Sequence, residues 1–132
     1  MLSSQNLAGH ATFSYDYFLN GGFIGCSCPD CHTELRIPIA IYRSGKLVAQ
    51  LEELSGKTLL DELIERRIVN LKDETNRLQS HLEKYTLWQV NAQYELVSCT
   101  LCNNRFLAIF GMAEIQPGRE EVQLEGVWKF DH

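Results

Sequence analysis

Cys28-Pro29-Asp30-Cys31-His32, followed by Leu35, and Cys99-Thr100-Leu101-Cys102-Asn103, followed by Phe106, are two versions of one phrase, and their reading decides the fold. An aromatic stands five residues before each pair (Phe23, Tyr94), and a large apolar residue stands four residues after it (Leu35, Phe106). Two C-x-x-C pairs supply four thiolates, the number that a closed tetrahedral Zn²⁺ site takes, with no coordination position left for water or substrate. The spacing therefore predicts one local structure built twice, with Cys28, Cys31, Cys99 and Cys102 as ligands of a single structural zinc ion. Cys26 forms a C-x-C with Cys28 and is the alternative ligand at that corner. Cys28 is preferred because it keeps the two-residue spacing of the second pair.

The flanking residues fit such a turn. The residue after the second cysteine of a metal knuckle often needs φ > 0, and among non-glycine residues Asn, Asp and His enter that region most readily. His32 and Asn103 occupy those two places, so His32 is read first as a turn residue. Pro29 fixes φ directly after Cys28.

With 132 residues and 45% hydrophobic content, the chain is expected to form a single domain, 1–132, with a real core. Met1-Leu2-Ser3-Ser4-Gln5-Asn6 has neither the basic nor the apolar region of a secretory leader, and no stretch approaches ~18 apolar residues. The expectation is a cytoplasmic protein without membrane contact, where cysteines serve as metal ligands or free thiols. Net charge is −5, from 17 acidic and 12 basic side chains, which argues against a phosphate-gripping surface. Around the cysteine pairs Arg36, Arg43, Lys46 and Arg105 stand against Asp30 and Glu34. After Gly111 the chain is acidic, with Glu114, Glu120, Glu121, Glu125 and Asp131 against Arg119 and Lys129. Ordinary solvated surface accounts for these charges.

Along the chain, Ala11 to Phe18 reads as a strand, Asn20-Gly21-Gly22 as a turn, and Phe23-Ile24 as the strand entering the first pair. Leu35, Ile37, Ile39 and Ile41 alternate strictly, which predicts a half-buried strand, and Pro38 on its other face predicts an edge. Leu47 to Leu54 fits a returning strand or a short helix. From Thr58 the period changes. Thr58 with Asp61 resembles an N-cap, and the run to about Tyr85 lacks Gly and Pro, which predicts a helix over 58–85 inserted between the two pairs. Ile64, Ile68, Leu71, Thr75, Leu78 and Leu82 step by four and three, the seam of a coiled coil. Such a helix of ~28 residues would span ~42 Å. Thr86 to Ser98 is then read as an extended return, Arg105 to Phe110 as the strand leaving the second pair, Gln116-Pro117-Gly118 as a turn, and Val122 to Phe130 as the last strand. The fold class expected is α+β: a small antiparallel sheet with a split metal ribbon and one long helix.

Cys28-Pro-Asp-Cys-His-Thr-Glu-Leu-Arg-Ile-Pro38 and Val97-Ser-Cys-Thr-Leu-Cys-Asn-Asn-Arg-Phe106 resemble the opening and closing halves of short bacterial zinc ribbons. Those are written C-P-x-C-x₃-[hydrophobic]-x-[hydrophobic]-P … C-x-x-C-x₃-F. The resemblance covers about 30 residues, and the matched pairs are its specific part. In the short ribbons the pairs stand closer together, whereas residues 32–98 separate them here. The resemblance implies two β-hairpin knuckles clamping one zinc through Cys28, Cys31, Cys99 and Cys102. Zinc ribbons serve in transcription and translation machinery, in nucleic-acid enzymes and as protein-docking modules, so the fold alone does not choose a function.

Enzymatic readings are weaker. His32-Thr33-Glu34 with Cys99-x-x-Cys102 resembles a zinc deaminase signature, but Pro is missing before Cys99 and Glu34 heads a strand-like segment. A thioredoxin-type pair at Cys28 and Cys31 needs a helix after it, and Leu35-Arg36-Ile37-Pro38 is a poor start for one. Gly56-Lys57-Thr58 resembles the end of a phosphate loop whose earlier glycine would fall on Leu51. Trp88, Trp128, Tyr15, Tyr17 and Phe18 could stack on bases, although strand aromatics are more often core. The expectation is a non-enzymatic zinc protein that acts as a protein–protein interaction module and forms a homodimer through Ile64, Ile68, Leu71, Leu78 and Leu82. The alternative is a nucleic-acid-associated zinc ribbon in transcription or its regulation, with Arg36, Arg43, Lys46 and Arg105 as contacts.

Overall fold

The computed structural model describes residues 2–7, 12–16, 21–40, 46–51, 57–77, 81–87, 90–116 and 119–130. The chain divides into two compact units, one of Met1–Gly45, Glu95–Ile109 and Gly126–His132, the other of Lys46–Tyr94 and Phe110–Glu125. Among the described residues no helix is long and apolar enough to cross a membrane.

The first unit begins with three antiparallel strands in the order β1 (Thr12–Asp16), β2 (Gly21–Ser27) and β3 (Glu34–Ala40). Along β3 the side chains of Leu35, Ile37 and Ile39 are buried while Arg36 and Pro38 are exposed, the alternation that a half-buried strand requires. β3 lies at one end of the strand order, a place where proline is tolerated. Ile41 lies outside the described residues. Strands β8 (Gln93–Ser98), β9 (Arg105–Gln116) and β10 (Arg119–Phe130) contribute residues to both units. Their order, continued by β4 (Lys46–Leu47), is β10-β9-β8-β4. In the first unit Phe106, Leu107, Ala108 and Ile109 are all fully buried, the continuous apolar run of a strand covered on both faces. The N-terminal segment is tied to β10 by Ser3 N–H on Lys129 O (2.9 Å) and by Val127 N–H on Asn6 Oδ1 (3.1 Å).

In the second unit β4 pairs antiparallel with the start of β8, Lys46 opposite Tyr94 and Leu47 opposite Gln93. Val48–Gln50 then forms a 3₁₀ turn. The ambiguous stretch from Leu47 thus contains both a strand end and a helical turn, and residues 52–56 lie outside the described set. Helix α1 (Lys57–Glu65) follows, so Thr58 lies inside its first turn rather than capping it. Leu59, Leu60 and Leu63 are buried and Asp61 and Glu65 exposed, a one-sided apolar face in which each leucine contributes about 1.5–3 kcal/mol.

The expected helix over 58–85 is not present: α1 ends at Glu65. Its end is a complete Schellman motif, with Ile68 N–H on Leu63 O (2.9 Å), Arg67 N–H on Ile64 O (3.0 Å) and Arg67 left-handed at φ 59°. Glycine usually marks that position, and Arg67 gives no such sign. Ile68 and Val69 are both buried, and the chain continues into β5 (Asn70–Leu71). β5 pairs with β6 (Tyr85–Leu87), which pairs with β7 (Val90–Asn91). The return segment therefore doubles back on itself as a hairpin instead of running straight from Thr86 to Ser98.

The coiled-coil seam falls with the helix. Ile64 is on α1, Ile68 in its cap, and Leu71 on β5 with 54% exposure. Thr75 closes a turn on Asp73 through N–H and hydroxyl bonds of 3.0 and 2.6 Å, and Leu82 is buried beyond it. Leu78 lies outside the described residues. Among the described residues, no single helical stripe joins Ile64, Ile68, Leu71 and Leu82 of the expected dimer face.

Arg67→Gly distinguishes the two structures by sign. At a left-handed cap the glycine should raise the unfolding free energy by about 1 kcal/mol. In the interior of a continuous helix it would lower it by about 1 kcal/mol, so urea denaturation decides the matter.

Candidate metal centre

Two hairpin ends carry the cysteines. β2 stops at Ser27, one residue before Cys28, and β3 starts three residues after Cys31. β8 stops at Ser98, one residue before Cys99, and β9 starts three residues after Cys102. Each turn is closed by the same two backbone bonds. Cys28 N–H donates to Thr33 O (2.9 Å) and His32 N–H to Cys28 O (2.9 Å). Cys99 N–H donates to Asn104 O (2.8 Å) and Asn103 N–H to Cys99 O (3.0 Å). His32 and Asn103 both sit in the left-handed region, at φ 61° and 60°, the conformation expected of them from the sequence.

The two knuckles bring their sulfurs together. Sγ of Cys31 lies 3.4 Å from that of Cys99 and 3.7 Å from that of Cys102, and Cys28 lies 3.5 Å from Cys102. All four sulfurs fall within 4.8 Å of one another and could hold a metal ion. A disulfide needs about 2.05 Å, so these are thiols. A tetrahedral site with metal–sulfur bonds of about 2.3 Å has edges of about 3.8 Å, close to the spacings found. Cys28 and Cys99 are buried, and Cys31 and Cys102 are half-buried.

Backbone N–H groups point at the sulfurs, as the knuckle geometry requires. Those of Cys102 and Leu101 hold the Cys99 thiol down to about 6. Burial works to raise Cys28, yet the N–H groups of Cys31 and Asp30, with the sulfurs of Cys102 and Cys31, leave it lowered. At Cys102 the Asn104 N–H favours the thiolate, but burial and the sulfurs of Cys28, Cys99 and Cys31 push it up to about 12. The cluster accepts some negative charge unaided and resists the rest, which is the condition that a dication relieves.

Asp30 lies beside the sulfurs, on the first knuckle. Its carboxylate accepts from Lys129 Nζ at 2.9 Å and from Asn104 Nδ2. The Lys129 bond, then the Asn104 bond, holds its pKa below the ordinary carboxylate value. A depressed carboxylate contributes stability above its unfolded pKa and loses it as pH falls through the folded one.

The remaining sequence candidates separate from the cluster. Cys26 is buried on β2 opposite Leu35, burial and then Cys28 raise its pKa, and it is not among the grouped sulfurs. His32 is exposed and outside the group, and Glu34 opens a strand, so the deaminase constellation does not form. No helix follows Cys31, which removes the thioredoxin reading as well. Arg36 lies over the Phe23 ring at 3.9 Å and Arg105 over Phe130 at 5.6 Å, while Lys46 is exposed on β4. Trp128 is buried; Trp88, Tyr17, Phe18 and Arg43 lie outside the described residues. The contact that sequence reasoning missed is the one between Asp30, Asn104 and Lys129, for which no spacing gives a signal.

Metal binding at pH 7 is expected to release protons, since burial and the neighbouring sulfurs push the Cys102 thiol up and thiolate ligands must be deprotonated; acidification should reverse uptake. An indicator dye in weak buffer reads this directly, and uptake without proton release would contradict thiolate ligation. The chain matches no protein-family model, no curated protein and no solved structure, so the cysteine cluster is read from its own geometry.

Proposed function

We propose that Cys28, Cys31, Cys99 and Cys102 hold one Zn²⁺ as a closed structural site of the zinc-ribbon kind, in a protein that works by docking to another protein rather than by catalysis. The observation that carries this reading is the set of short sulfur–sulfur distances running from one knuckle to the other. Four thiolates at tetrahedral spacing suit Zn²⁺, and they complete its coordination, leaving no place for a reacting water. An ion held this way does its work by joining residues far apart in sequence.

The docking reading draws support from what surrounds the site. Leu101, at the tip of the second knuckle, is 73% exposed, an apolar side chain held out by a turn that the metal would stiffen. A chain with net charge −5 is better suited to a protein surface than to a phosphate backbone.

Purified protein should contain one equivalent of zinc, and Cys99→Ser should lose it and melt at lower temperature. Cobalt in its place should give the sulfur-to-metal charge-transfer and intense visible bands of a tetrahedral tetrathiolate; the weak spectrum of a six-coordinate ion would refute the closed site. Leu101→Asp should keep the cobalt spectrum while abolishing recovery of the partner that wild-type protein retains, and equal recovery by both would remove the knuckle tip from the docking surface.

A further inference from the structure

The two knuckles share a backbone but differ in the side chains beside their sulfurs. Thr33, five residues after Cys28, keeps its hydroxyl within its own knuckle, 3.1 Å from Cys31 Sγ. Its counterpart Asn104, five residues after Cys99, reaches across to the first knuckle and donates to Asp30 Oδ2. The same oxygen accepts from Lys129 Nζ of β10 at 2.9 Å. Asp30 itself has Leu101 as its counterpart, a residue with no polar group to return the contact. A one-sided polar bridge therefore runs beside the sulfurs, and it is centred on a single carboxylate oxygen.

The sulfur geometry gives this bridge a purpose. Each knuckle supplies two of the four sulfurs, so an ion held by all four would lose half its ligands when the knuckles part. Any contact that keeps them together without touching the metal slows that step. Lys129 adds an ammonium to a knuckle whose four-thiolate zinc would carry a formal charge of about −2, the sum of four thiolates and one dication.

We propose that Asp30, Asn104 and Lys129 form a brace that holds the two knuckles at metal-binding separation and governs how fast the metal departs; this rests on the zinc reading above. They are positioning residues. None of their side chains ligates the ion, and their effect is expected on release rather than on the identity of the ligands.

The test is zinc release from the full chain, loaded with one equivalent, into an excess of a chromogenic chelator. Asp30→Ala should speed release about tenfold, in the range found for residues that orient metal ligands from behind. Asp30→Asn, which retains an acceptor oxygen for Asn104, should restore part of the wild-type rate, and Lys129→Met should fall between the two. Adding Asn104→Ala to Asp30→Ala should change nothing further, because the shared contact is already gone. Leu101→Ala, at the matching position of the other knuckle, should release zinc at the wild-type rate. The cobalt spectra of all these variants should equal that of wild type, showing four thiolates still in place. Wild-type release rates in both Asp30→Ala and Lys129→Met, with unchanged cobalt spectra, would overturn the brace alone. Failure of the wild-type chain to take up metal at all would overturn the zinc reading, and the brace with it.

Discussion

Approach of the sulfurs from two knuckles is the constraint on which the first unit depends. Cys28 and Cys31 close the β2–β3 hairpin, Cys99 and Cys102 close β8 onto β9, and sulfur contacts of 3.4, 3.5 and 3.7 Å run between the pairs. Where β2 and β8 stop, and where β3 and β9 resume, is set by the turn each knuckle needs. Four thiols packed so closely gain little from one another. Their spacing could hold a metal ion, whose positive charge would favour the thiolate at Cys102, where burial and the neighbouring sulfurs oppose it.

Repetition of the knuckle is a matter of backbone chemistry more than of side-chain identity. His32 and Asn103 share a left-handed conformation, and the flanking cysteines share the bonds that enforce it. Left-handed backbone at a non-glycine residue costs about 1–2 kcal/mol, and it persists where surrounding contacts over-determine it. Among the described residues Arg67 is the third of this kind, held by the Schellman bonds at the end of α1.

The cysteine cluster and the strands around it were legible in the sequence because each rests on a short, strict pattern. Spacing picked Cys28 over Cys26, the residue types at 32 and 103 announced the turns, and alternation at Leu35, Ile37 and Ile39 announced β3. The stretch from Thr58 misled for a physical reason. A three-and-four spacing of apolar residues marks a helix only if those residues share one face, and here Ile64 belongs to a helix, Ile68 to its cap, Leu71 to a strand and Thr75 to a turn. The absence of Gly and Pro was weak evidence, since Arg67 ends the helix in a conformation that glycine would ordinarily supply. Asp30, Asn104 and Lys129 were illegible for another reason: they meet through tertiary placement of an exposed and two half-buried polar side chains, which no local period encodes.

Placement of the cysteine pairs also bears on the order in which the chain is made. At a synthesis rate of about 5–20 residues per second, roughly 4–14 s pass between the appearance of Cys31 and that of Cys102. During that interval the first knuckle offers only two of the four sulfurs, half the grip of the finished cluster. The brace comes later still, since Lys129 follows Cys102 in the chain. Capture of an ion by all four sulfurs would thereby be a closing event of synthesis, since a nascent chain interrupted before residue 102 lacks the last of them.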